Sequence, residues 1–391
     1  MQERKKYHLP LSYINGDFYT IQSIQLSDKK SGEIETIGIN WKLLKINNET
    51  INKYIANNVD NYSYAFHINK YDVKNKLFYN EQLLSSDSLI GKDVNLTFYD
   101  TKKKDTILID FINHNKQRFR KYYDGADIPR YSEAKPVHNK TLFFDNILYI
   151  KIPSMNTSSI KFLEDSIPKY KNYKIDKIVV DIRNNGGGSD YVWYKLLSMI
   201  IDTTFCRTQK LGITNWSQLQ NKIPMDFDSL PLFYDKNLQQ NYRLIDDVTD
   251  CDKIEPDSNS LNYKGKIYLL HNENCFSSAT AFVAFALSND RVVAVGESNG
   301  YLGGYGVDPF LFQLPNSKLL FIMHSTIHIP VNTNKVEDYF WNKTEVEVNL
   351  TPEFKTLMYR YTRMDIYSEK FLKNKDLFFR EVLKSPCLYR A

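Results

Sequence analysis

Lys177-Ile178-Val179-Val180-Asp181-Ile182-Arg183-Asn184-Asn185-Gly186-Gly187-Gly188 is an apolar run that ends in a charged, glycine-rich turn. The run is short and rich in β-branched residues, as a strand buried on both faces should be. A helical pattern over 189–202 follows it. The same alternation continues on both sides. Ile147-Leu148-Tyr149-Ile150-Lys151-Ile152 reads as a strand and 158–171 as a helix. Lys266-Ile267-Tyr268-Leu269-Leu270 reads as a strand, 277–288 as a helix, and Arg291-Val292-Val293-Ala294-Val295 as another strand. Strands alternating with helices imply a largely parallel sheet covered by helices. Residues 203–262 look irregular and polar and read as an insertion, 318–323 reads as a later strand, and the C-terminal stretch looks helical.

Before residue 147 the period changes. Residues 9–125 read as short strands, among them Phe18-Tyr19-Thr20-Ile21, Asn95-Leu96-Thr97-Phe98-Tyr99 and Thr106-Ile107-Leu108-Ile109. Residues 126–146 are polar and contain proline, and read as a linker. The segment from Gly38 to Ile51 fits a turn, an apolar strand, a second turn and a helix start. It resembles the G-D-x-I-x-x-I-N-G segment of PDZ domains. Asn40 and Asn48 stand where that pattern has glycine. Asparagine is the residue other than glycine best able to hold a left-handed backbone, so both changes are tolerable.

Composition narrows the classes. The 391 residues carry 51 Lys+Arg against 46 Asp+Glu, a net charge of +5 with the two signs interspersed. That balance does not suggest a nucleic-acid partner. No apolar run approaches the roughly 18–20 residues of a membrane span. Cys206, Cys251, Cys275 and Cys387 show neither CxxC nor zinc spacing, and no disulfide framework or metal site is expected from them. Met1-Gln2-Glu3-Arg4-Lys5-Lys6 lacks the apolar core of a leader. Either the protein is cytosolic, or its native start lies upstream and has been removed.

Three segments carry chemistry. In the first, 181–188, three glycines allow close approach of the backbone and present N–H groups at the end of a strand. That arrangement suits a phosphate cradle, an oxyanion hole or a plain strand-to-helix turn. In the second, Asn274-Cys275-Phe276-Ser277-Ser278-Ala279-Thr280, a serine stands at a helix start. Such a serine is an N-cap or a nucleophile, because the same N–H groups that need a cap also stabilise an oxyanion. Cys275 is a rival nucleophile or a small buried thiol. In the third, Val293-Ala294-Val295-Gly296-Glu297-Ser298-Asn299-Gly300, a strand ends in a glycine-bearing turn.

Together, and in this order, the three resemble the C-terminal processing peptidases and tricorn proteases. That serine peptidase family has D-L-R-x-N-x-G-G, then S-A-S-E at a helix start, then V-G-E-x-T-x-G. The resemblance implies an α/β catalytic core of crotonase/ClpP-like type over 147–391, preceded by a β-rich PDZ-like domain. It makes Ser277 the nucleophile, nineteen residues before Gly296. Ser278 and Gly187 would supply the oxyanion N–H groups, and Asp181, Arg183 and Asn185 would shape the turn. Thr280 replaces the glutamate of S-A-S-E. The family implies a peptide or unfolded-protein substrate and no cofactor or metal. If a leader has been removed, it also implies a periplasmic or cell-surface location.

The general base departs from the pattern. Processing peptidases place a lysine twenty-five residues after the nucleophile, where this chain has Leu302, and no lysine occurs between Lys266 and Lys318. The tricorn-like branch uses Ser, His, Ser and Glu. Its N-x-E-N-x-G stretch resembles Asn334-Lys335-Val336-Glu337-Asp338-Tyr339, which makes Glu337 the candidate glutamate. Its histidine lies in a D-G-H-T segment before an L-P-L-like strand. Near its start this chain has Tyr7-His8-Leu9-Pro10-Leu11, which leaves His8 as the candidate base or the segment missing. Three functions therefore stand: a serine endopeptidase acting through Ser277, a catalytically impaired relative that binds peptides or protein partners, and a crotonase-like acyl-thioester enzyme.

Overall fold

The computed structural model describes residues 11–27, 34–58, 94–112, 137–207, 210–214, 229–230, 232–235, 240–244, 251–272, 274–297, 310–323, 326–329, 344–360 and 366–385. The chain forms two compact units, one from Met1–Pro136 and Asn349–Leu377, the other from Val137–Val348 and Phe378–Ala391.

The first unit is β-rich. Strands β1 (Leu11–Ile14), β2 (Asp17–Thr20), β5 (Trp41–Ile46), β7 (Val94–Asp100) and β8 (Asp105–Ile112) lie side by side in that order, and β6 (Glu49–Thr50) pairs with β5. A separate hairpin joins β3 (Ile24–Ser27) to β4 (Ile34–Ile37). Helix α1 (Ile51–Asn58) follows β6. Alternation in β7 sends Val94, Leu96 and Phe98 into a core shared with Leu11, Phe18, Leu43 and Ile46. Asn40 and Asn48 both adopt positive φ, at 62° and 65°, the left-handed backbone that the sequence anticipated for them. Residues 349–377, assigned to the core by sequence, pack with this unit instead. Thr356 Oγ1 donates to Asn40 Oδ1, and Asn15 Nδ2 donates to the Leu350 carbonyl.

The second unit is built on a sheet of β9 (Lys140–Phe144), β10 (Ile147–Lys151), β11 (Lys177–Asp181), β17 (Ile267–His271), β18 (Val292–Gly296) and β22 (Val346–Glu347), neighbours in that order from β9 to β22. All neighbours are parallel except β9 and β10. Helices α2 (Ser158–Ser166), α3 (Asp190–Ser198) and α4 (Ser278–Leu287) follow β10, β11 and β17 along the chain. Trp193 of α3 stacks on Phe282 of α4 within the main core. The C-terminal stretch supplies α5 (Pro352–Arg360) and α6 (Glu369–Asn374) to the first unit and α7 (Leu377–Lys384), from Phe378 on, to the second. Among the described residues no helix is long and apolar enough to cross a membrane.

Two segments differ from expectation. Residues 140–144 were read as linker but form the edge strand β9. Asp145 and Asn146, both at positive φ, make a two-residue hairpin turn without a glycine to announce it. The 203–262 segment, read as irregular, carries β12 (Phe205–Arg207), β13 (Lys210–Thr214), β14 (Leu232–Asp235), β15 (Gln240–Leu244) and β16 (Asp252–Ile254). A disulfide joins Cys206 to Cys251, where no disulfide framework was expected. Their sequence separation of 45 hid a pairing that the antiparallel β12–β16 contact creates. Beyond it, β19 (Phe310–Gln313) pairs with β20 (Leu320–Met323), and β21 (Thr326–Ile329) pairs with β13.

Candidate active site

The site lies at the carboxyl ends of β11 and β17, where open α/β sheets commonly hold ligands. Its foundation is charge. Asp181 ends β11 with no exposed surface. Arg183 donates to both of its carboxylate oxygens, through Nε at 3.1 Å to each and through Nη2 at 2.6 Å to Oδ2. Lys151, buried on neighbouring β10, donates to Asp181 Oδ1 at 3.1 Å and to the Arg183 carbonyl at 2.7 Å. Tyr149 adds its hydroxyl to Oδ2 at 2.6 Å. Burial alone would raise the Asp181 pKa, but the two cations and the donated hydrogen bonds hold it well below the usual carboxylate range. Burial pushes the Lys151 pKa down. Neither Lys151 nor Tyr149 was singled out from the sequence. A lysine inside an apolar strand run was their signal, because a buried cation requires a partner.

On this foundation the glycine turn is folded by asparagines. Asn184 takes φ +61°. Asn185 is fully buried, and its Nδ2 donates to the Ile152 carbonyl at 2.9 Å. Its Oδ1 accepts the N–H of Gly187 at 2.8 Å. Gly187 takes φ +93°, and a Cβ there would lie 2.6 Å from both Ser277 Cβ and the Phe276 carbonyl oxygen, and 3.0 Å from Ser278 N. Only glycine allows this turn to touch the start of α4. The Phe276 N–H donates to the Asn185 carbonyl at 3.0 Å, which ties the two segments together. Asn272, at the end of β17, accepts the Asn184 N–H and donates to Asn184 Oδ1, both at 2.8 Å.

Ser277 occupies the N-cap position of α4 at φ +54°, ψ −127°, and its side chain makes no capping hydrogen bond. An ordinary capping serine sits in the β region and bonds the second or third helical N–H. Here the side chain is half-buried and its hydroxyl takes no part in the helix. Positive φ at a serine is strained, and strain of this kind collects at functional turns, including those that present a nucleophile between strand and helix. Thr280, in place of the motif glutamate, donates its hydroxyl to the Ser277 carbonyl at 2.7 Å. Cys275 is buried, and burial pushes its thiol up to about 11. It is therefore protonated at neutral pH and unsuited to attack.

The structure thus brings Ser277, Ser278, Gly187 and Asn185 together, above Asp181 and Arg183. His8, Glu337 and Leu302 lie outside the described residues, as do His67, His114 and His324. His271 is buried at the end of β17, where its ring and carbonyl close against Gly296 so tightly that a Cβ there would stand 2.9 Å from its Cδ2. His138 is exposed. His328 lies on β21, in register with Leu211. No metal-binding group of His, Cys, Asp and Glu occurs among the described residues.

Residues 146–339 match the model of peptidase family S41. Curated protein sequences give no match. Mature CPAF, a solved structure, aligns over 97% of this chain and 84% of its own at 15% identity, with a TM-score of 0.51. A mutant of CPAF aligns over 98% and 84% at 15% identity, with a TM-score of 0.52. At this identity these two likenesses show the fold. The photosystem II D1 C-terminal processing protease aligns over 93% and 77% at 13% identity, with a TM-score of 0.37.

Proposed function

We propose, for a chain whose residues 146–339 are a domain of peptidase family S41, an endopeptidase that cleaves peptides or unfolded protein segments through an acyl-enzyme on Ser277. The observation that carries this reading is the backbone of Ser277: φ +54° at a helix N-terminus, with a hydroxyl that makes no cap. Ser277 Oγ attacks the scissile carbonyl and gives its proton to a general base. His8 and the Glu337 segment are the candidates for proton acceptor and for orienting the site. The Ser278 N–H and the helix dipole receive the oxyanion. The Gly187 N–H joins them by sharing its proton between Asn185 Oδ1 and the new oxygen. The departing amine takes the proton back, and water then hydrolyses the ester by the reverse sequence.

The core is read as crotonase/ClpP-like and the β-rich unit as PDZ-like, with an extended peptide added at a sheet edge. The Cys206–Cys251 bond favours residence in an oxidising compartment such as the periplasm or cell surface. Hydrolysis of an unfolded protein substrate, abolished by Ser277→Ala in an equally stable protein, is the expected result. Equal hydrolysis by that variant contradicts the reading. If the chain lacks its base, the serine protease precedent leaves a rate still roughly 10³–10⁴-fold over water.

A further inference from the structure

We propose that the side-chain hydroxyl of Ser278, and not only its backbone N–H, is an oxyanion donor. This rests on the serine peptidase reading above. Ser278 is only 4% exposed, yet its Oγ has no hydrogen-bond partner among the described residues. A buried hydroxyl without a partner is disfavoured, and such groups are uncommon in folded proteins. An alanine would fill the first turn of α4 without that penalty and with a better helix propensity.

The neighbouring donor gives the orphan a use. The Gly187 N–H is already engaged by Asn185 Oδ1 at 2.8 Å, so the glycine turn offers the oxyanion at best a shared proton. Ser278 stands at the contact between that turn and α4, its N 3.0 Å from where a Gly187 Cβ would be. Oγ is three bonds from its own N. One oxygen can therefore accept from both N–H and O–H of Ser278 after rotation about a single side-chain bond. As Ser277 Oγ bonds to the carbonyl carbon, the carbonyl π pair moves onto oxygen and the Ser277 proton passes to the general base. Ser278 keeps its own proton and donates a hydrogen bond to the new oxyanion. It gives up no protein partner to do so, and the bond strengthens as charge develops, which is what accelerates the chemical step.

A fluorophosphonate probe tests this, because its phosphoryl oxygen enters the oxyanion position as Ser277 Oγ bonds phosphorus and fluoride leaves. Ser278→Ala retains the N–H donor and removes only the hydroxyl. Its labelling rate constant is expected to fall on the order of 100-fold, as for loss of one oxyanion donor, with a Tm equal to or above that of the unaltered protein. Ser278→Thr, which restores a hydroxyl, is expected to recover most of the rate. Labelling of Ser278→Ala within about twofold of the unaltered protein overturns the inference and leaves the peptidase reading standing. A lowered Tm or failure to fold in Ser278→Ala also overturns it, because the hydroxyl would then be structural. Failure to label the unaltered protein, or persistent labelling of Ser277→Ala, ends the peptidase reading and this inference with it.

Discussion

Asn184 and Asn272 exchange hydrogen bonds: the Asn184 N–H donates to Asn272 Oδ1 and Asn272 Nδ2 donates to Asn184 Oδ1, each at 2.8 Å. The pair joins the glycine turn after β11 to the segment that leads from β17 into Ser277. Asn184 holds positive φ while doing so. Removing the Asn272 side chain leaves the Asn184 N–H unpaired at the junction, while Asn184 Oδ1 keeps the hydrogen bond donated by Asn274 Nδ2 at 2.9 Å. Asn272→Ala is expected to cost about 1–3 kcal/mol in urea denaturation, and to slow labelling of Ser277 by a serine-reactive probe. Unchanged labelling would separate the clamp from the nucleophile.

Asp181 is the anion between two buried cations, Arg183 and Lys151. Asp181→Asn strands both and is expected to cost about 3–5 kcal/mol, read as a lower urea midpoint at neutral pH. The sign of the pH dependence follows from its depressed folded pKa. Its contribution is complete above the unfolded carboxylate value of about 3.9, and is lost as pH falls from there through the folded value. The unaltered protein should therefore lose its advantage over Asp181→Asn on acidification. A difference that stays constant in acid would contradict the assignment.

Cys275 precedes Ser277 by two residues and is the rival nucleophile. With its thiol raised to about 11 and buried, it should resist iodoacetamide in the native protein at mildly alkaline pH. Peptide mapping after denaturation should then find it alkylated. Modification of the native protein at Cys275 would reopen the thiol as the attacking group.

The Cys206–Cys251 bond closes the segment that carries β13, β14 and β15. Arg207 reinforces the same place, with Nη1 donating to Asp190 Oδ2 and to the Tyr194 hydroxyl, each at 2.8 Å. A loop of this length predicts about 2–4 kcal/mol of stabilisation. Replacing both cysteines by serine should lower the urea midpoint accordingly, and non-reducing peptide mapping of the unaltered protein should recover the linked peptides. Absence of the linked peptides would contradict the pairing.

The parallel core was readable because its signal is local and repeated. Each buried strand, such as 177–181, is an apolar run that ends at a turn residue, and each following helix has its own period. The site was readable where the backbone demands a residue type, as at Gly187, whose φ of +93° and contact with Ser277 exclude any side chain. What stayed hidden depends on pairing across distance. Nothing near Lys151 names Asp181 as its partner thirty residues on, and nothing near Asn272 names Asn184. Strand β9 was missed because Asp145 and Asn146 make their turn without glycine. The 349–377 segment was misassigned because its contacts, such as Thr356 with Asn40, span 316 residues.

The proposed role of Ser277 is that of a nucleophile and not of a helix cap. Incubation of the intact protein with a fluorophosphonate, followed by mass mapping of the adduct, tests it most directly. A single phosphonyl adduct on Ser277, lost in Ser277→Ala, is the expected result. An adduct on another residue, or no adduct on a folded protein, would contradict it.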